Sequence, residues 1–60
     1  MKTTRTSYPK VYKAEHDGRI FWIDGYTGEW KVLEGESHVN AEWWETLPTK
    51  RDAIAYIECL

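Results

Sequence analysis

Sixty residues allow one domain at most. Eight basic and ten acidic side chains leave a net charge of -2, which excludes both a polybasic nucleic-acid coat and a strongly acidic disordered tail. Hydrophobic residues make up 42% and aromatic residues 15%, including four Trp, so the chain has enough apolar surface to fold. A chain this short buries only roughly 60% of its unfolded surface, so large rings are its means of building a core.

Residues 1–7, Met1-Lys2-Thr3-Thr4-Arg5-Thr6-Ser7, carry no apolar anchor and read as a flexible basic arm rather than a signal peptide. A single domain is expected over residues 8–60. The segment Tyr8–Glu15 alternates, with Tyr8, Tyr12 and Ala14 on one face and Val11 and Lys13 on the other. Pro9 cannot donate to a ladder, so this strand either lies at an edge or starts after Pro9. Asp17-Gly18 between two apolar runs predicts a tight hairpin with positive φ at both residues. Arg19–Asp24 is apolar on both sides, as in a central strand, with Ile20 and Trp22 on one face and Phe21 and Ile23 on the other.

Gly25-Tyr26-Thr27-Gly28 predicts a second turn. Glu29–Glu34 alternates, with Trp30 and Val32 inward and Glu29 and Lys31 outward. Gly35–Asn40 reads as a loop. Residues 41–47 fit either a fourth short strand or one helical turn capped by Asn40 or Ser37. Pro48 bars a helix from running through it. Thr49 and Asp52 form a capping-box-like pair, and Ala53, Tyr56, Ile57 and Leu60 fall on one helical stripe. Such a short helix is stable only when docked. The expected fold is α+β: a three-stranded antiparallel β-meander with one C-terminal α-helix packed on one face (β-β-β-α), plus a short extra element at 41–47.

Charge is unevenly spread along the chain. Residues 1–13 hold Lys2, Arg5, Lys10 and Lys13 and no acid. Residues 14–48 hold eight acids against Arg19 and Lys31. Two readings fit the central acids: a solvated surface that keeps an aromatic-rich domain soluble, or a negative surface that steers docking on a positive one. Grooves that hold phosphates are plentiful positive surfaces. Trp43 and Trp44 cannot both face one core from a regular strand, so one of them is expected at the surface or in an interface. Tyr26, at a turn tip, is a cheap anchor. The expected partner-binding set is Asp24, Tyr26, Glu29, Glu34, Glu36, Glu42, Trp43, Trp44 and Glu45.

Lys2, Arg5, Lys10, Lys13 and Lys31 form the alternative, a nucleic-acid-binding face on a three-stranded sheet. Glu15-His16-Asp17 lacks a placed nucleophile and reads as a hairpin tip, so no catalytic residue is expected. One Cys and two His make neither a disulfide nor a zinc site, and no cofactor is implied. The longest apolar run, Ile20-Phe21-Trp22-Ile23, is far short of the roughly 20 residues of a membrane helix. A reducing cytoplasm, that of a host cell, is the expected compartment. An uncovered sheet face could also self-associate, with Phe21 or Trp22 buried in a homodimer.

Gly28-Glu29-Trp30, followed by the run from Leu47-Pro48-Thr49-Lys50 to Ile57, resembles small proteins of phages and mobile elements. It is similar to the arm-type DNA-binding domains of phage integrases, which join a three-stranded sheet to one helix. That resemblance implies a small DNA-binding module of the arm-type integrase or AP2-like kind, although the sheet here is acid-rich where the family's is basic. In size and charge the chain also resembles anti-CRISPR inhibitors, some of which imitate nucleic acid. That likeness implies a non-catalytic protein-binding inhibitor that occludes a nucleic-acid-binding surface of a host defence complex.

Overall fold

A computed structural model describes residues 1–60. It contains β1 (Lys2–Arg5), β2 (Val11–His16), β3 (Arg19–Asp24), β4 (Trp30–Glu34), a single 3-10 turn (His38–Asn40), β5 (Glu42–Leu47) and α1 (Lys50–Glu58). The strands form one antiparallel sheet in the order β1-β2-β3-β4-β5. This corrects the expected three-stranded meander: the sheet has five strands, and the two extra ones are its edges.

Both additions have a physical reason. β1 is the segment read as an arm. Each of its residues is exposed, so it carries no hydrophobic alternation to read. It forms because β2 otherwise offers a free edge, and Lys2 then lies opposite Glu15 as a favourable cross-strand pair. β5 resolves the two options for residues 41–47 in favour of a strand. Its register slips once: Glu45 faces Val32 while Trp43 faces Leu33, which leaves Trp44 as the extra residue of a β-bulge.

The β2–β3 hairpin turns at the predicted residues. Asp17 and Gly18 have φ of 52° and 74°, the two left-handed residues a tight hairpin needs. Before β2, Thr6 to Lys10 make a turn in which Lys10 takes φ of 60°. The strand therefore begins after Pro9, and Tyr8 is a turn residue rather than a face-mate of Tyr12 and Ala14. Its ring lies 6.4 Å from that of His38 instead.

Thr49 caps α1 by accepting the Asp52 backbone N–H at 3.1 Å. The helix packs mainly on β3, β4 and β5. Ala53 and Ile57 are buried with Ala14, Phe21, Ile23 and Val32, and Tyr12, Trp30, Leu47, Ile54 and Tyr56 flank them. Leu60 lies beyond the helix and is exposed. The helix thus covers the Phe21 side of the sheet, so only Trp22 of the two residues considered for a self-associating face points away from it.

The second face is crossed by a row of directly opposed residues, Thr4, Lys13, Trp22, Leu33 and Trp43. Part of that face is covered by a flap, residues 36–40. Its neck is tight: a Cβ on Gly35 would sit 2.9 Å from Ala41 Cα. The Trp22 indole N–H donates to Gly35 O at 2.9 Å, and the His38 ring lies 5.9 Å from the Trp22 ring. Val11, on this face, is buried.

Candidate functional site: an exposed aromatic edge

β5 is the last strand of the sheet, so one side of its backbone has no partner strand. Glu42, Trp43, Trp44 and Glu45 are four consecutive exposed residues along it. Trp43 is 57% exposed and Trp44 39%, large values for rings that a small domain needs for its core. Strand alternation sends the two rings to opposite faces, and the bulge leaves Glu45 on the helix side as well. Trp43 shares a row with Leu33 on the flap side and donates its indole N–H to Thr46 Oγ1 at 3.1 Å. Trp44 lies on the helix side, where the Arg19 guanidinium sits 5.8 Å from its ring centre.

Arg19 organises this corner, and nothing in its sequence context singled it out. Its Nε and Nη2 donate to the two Glu34 carboxylate oxygens at 2.8 and 2.7 Å, a bidentate pair. It also lies over the Phe21 ring at 4.9 Å. The Arg19 hydrogen bond holds the Glu34 carboxyl below the usual range, against a smaller opposing effect of desolvation. The same bond raises Arg19. Glu34 is therefore an internally satisfied acid. Glu42 lies directly opposite it across the β4–β5 pair, and Glu45 lies on the same side of the sheet, opposite Val32. Glu45 also accepts its neighbour's Thr46 N–H at 3.0 Å, which occupies one donor of this strand.

The expected partner-binding residues are only partly brought together. Glu34, Glu42, Trp43, Trp44 and Glu45 gather at the β4–β5 edge. Asp24 and Tyr26 lie at the other end of β3 or just past it, where the Asp24 carboxylate meets His38 Nε2 at 3.1 Å and accepts the Tyr26 N–H at 2.9 Å. Glu29 sits in the turn before β4 and Glu36 in the flap, both exposed. The acids thus fall on two faces and two ends of the sheet, and two of them are already engaged by Arg19 and His38.

The alternative cationic set also divides. Lys2, Lys13 and Lys31 share the flap side, opposite Glu15, Trp22 and Asp24 respectively. Arg5 pairs with Tyr12 on the helix side, and Lys10 is in the β1–β2 turn. Lys50, which the sequence also offers as a phosphate-binding cation, lies 3.7 Å from the Tyr12 ring centre. Across the whole molecule the cations of β1 and β2 stand at one edge of the sheet and the acids of β5 at the other.

No group of three or more His, Cys, Asp and Glu side chains is placed to hold a metal ion. No helix is long and apolar enough to cross a membrane. Comparison of the chain with protein-family models, with curated proteins and with solved structures finds no match. The resemblances to integrase arm domains and to anti-CRISPR inhibitors rest on the residues, size and charge that suggested them.

Proposed function

We propose that the protein is a small non-catalytic binding module that docks through its β5 edge on a positively charged partner surface and occludes it. The observation that carries this is the run Glu42-Trp43-Trp44-Glu45, exposed along an unpaired strand. Exposed Trp is costly in a chain that must bury most of its rings, and Trp is the side chain most enriched among interface anchors. The flanking carboxylates keep the edge from pairing with another copy's acidic edge and favour a cationic partner. A groove that ordinarily holds phosphates is the partner surface that this chemistry fits best, and an effector complex of host defence carries such a groove.

The inhibitor reading expected from the sequence is thereby narrowed. Its contact surface is Glu42, Trp43, Trp44 and Glu45, with Glu34 as a support held by Arg19, and not the full set of central acids. The test is competition. Purified nucleic-acid-binding effector complexes are mixed with the protein and assayed for retardation of their target duplex. Wild type should abolish the shift of the complex it targets, and raised salt should weaken that effect. Trp43→Ala/Trp44→Ala and Glu42→Lys/Glu45→Lys should restore the shift. Inhibition that survives both double variants would refute the β5 surface.

A further inference from the structure

Three hollows share Tyr8 beside the β1–β2 turn, away from the β5 surface; the smallest, of about 390 Å³, lies by the flap and holds Glu36, and the other two adjoin it. The first, of about 470 Å³, lies along the β1–β2 turn and contains Arg5 and Lys10 but no carboxylate. The second, of about 600 Å³, is predominantly apolar and lies between Tyr8, Tyr26 and Val39. Tyr8, Pro9 and Val11 line both. Tyr8, Tyr26 and Val39 are 65%, 70% and 90% exposed, so three large apolar side chains converge on one open hollow with nothing packed over them. The only acid in that hollow, Asp24, is turned to His38 and to the Tyr26 N–H.

The turn that carries the cations is already ordered. Thr6 Oγ1 donates to Val11 O at 2.8 Å and accepts the Tyr8 N–H at 3.2 Å, and the Val11 N–H donates to Tyr8 O at 3.4 Å. A ligand that uses this turn therefore avoids much of the ordering cost of a loose loop. A cationic hollow without acids, joined through one Tyr to an aromatic hollow, has the chemistry of a phosphate subsite beside a base subsite. Aromatic rings stack on any base, and cations track the phosphate.

We propose that these two hollows bind a nucleotide unit, with its phosphate at Arg5 and Lys10 and its base against Tyr8 and Tyr26. The unit is either a free nucleoside monophosphate or part of a single strand. This site is independent of the β5 surface and shares no residue with it.

The test uses the intact protein at 50 mM salt. A fluorescein-labelled oligothymidylate reads binding by anisotropy, and adenosine monophosphate is titrated separately while backbone amide resonances are followed. The Ser7, Tyr8, Lys10 and Tyr26 amides should shift together. Shifts with the monophosphate identify a free nucleotide as sufficient, and shifts only with the oligonucleotide identify a strand. Absence of both overturns the proposal. Two phosphate-contacting cations give a salt slope of about -1.4, so affinity for the strand should fall about 7-fold between 50 and 200 mM salt. Arg5→Gln, Lys10→Gln and Tyr8→Ala should each weaken binding several-fold, while Lys2→Gln, which removes the same charge from the far end of β1, outside both hollows, and Trp43→Ala should not. Equal loss with Lys2→Gln would mean diffuse attraction and overturn the site, as would equal competition by unlabelled polyglutamate and unlabelled oligonucleotide.

Discussion

Replacing Ile57 by Ala tests whether this domain is held together by one helix–sheet contact. Ile57 is fully buried against Phe21, Ile23 and Val32, and α1 has nine residues, too few to be stable in isolation. The substitution removes three carbon atoms, worth about 0.8 kcal/mol each in transfer, or about 2.4 kcal/mol. The cavity left behind raises this to about 3–4 kcal/mol, within the range seen for large-to-small core changes. A 60-residue domain has only about 3–9 kcal/mol in total. The variant should lose at least about a third of its stability, with the melting temperature falling by at least about 12 °C. Urea unfolding followed by Trp fluorescence and by far-ultraviolet circular dichroism measures the loss. Ile57→Val, expected to cost about 1 kcal/mol, keeps the comparison usable if the Ala variant does not fold. A loss below about 1 kcal/mol for Ile57→Ala would show that the sheet is stable without the helix and refute this account of the core.

Two further outcomes follow from the corner around β4. Glu34 is held below its ordinary value of 4.5 by Arg19, so the folded state binds its proton less readily than the unfolded chain. Its contribution is present above that ordinary value and is lost as pH falls below it through the lowered folded value. Wild-type stability should therefore drop on acidification below about pH 4.5, and Glu34→Gln should flatten that drop in denaturant titrations at several pH values; an unchanged slope would refute the ion pair's role. Gly35→Ala places a Cβ against the Ala41 backbone and should cost about 1–3 kcal/mol. Because Gly35 O accepts the Trp22 indole N–H, the Trp22 emission should change as well, and a variant with wild-type stability and spectrum would show that the flap neck is not tight.

The local features were legible because their causes are local. Asp17-Gly18 is a turn by the φ values it tolerates, and Thr49 caps a helix by a hydrogen bond three residues along. The inward set Phe21, Ile23, Val32, Ala53 and Ile57 follows from periods of two and about 3.6. β1 escaped because an edge strand with every side chain exposed has no hydrophobic signature; it is made by pairing alone. The bulge at Trp44 escaped for a similar reason. It shows only in the register against β4, and it decides that Glu45 lies on the helix side with Glu42.

The expected acidic surface failed to form as one patch for a reason no count of charges contains. Asp24 and Glu34 point to opposite faces of the sheet, Glu29 and Glu36 lie outside its strands, and Arg19 and His38 reach Glu34 and Asp24 from 15 and 14 residues away. The composition by itself determined that the chain would fold around aromatic and aliphatic side chains, with a basic beginning and an acidic middle. Tertiary structure decided that those two regions would stand at opposite edges of one sheet. It also decided that Trp43 and Trp44 would stay exposed, and that Tyr8 and Tyr26 would face a common hollow. Contacts between residues far apart in the chain are set by strand order and register, and these are properties of the whole sheet rather than of any segment in it.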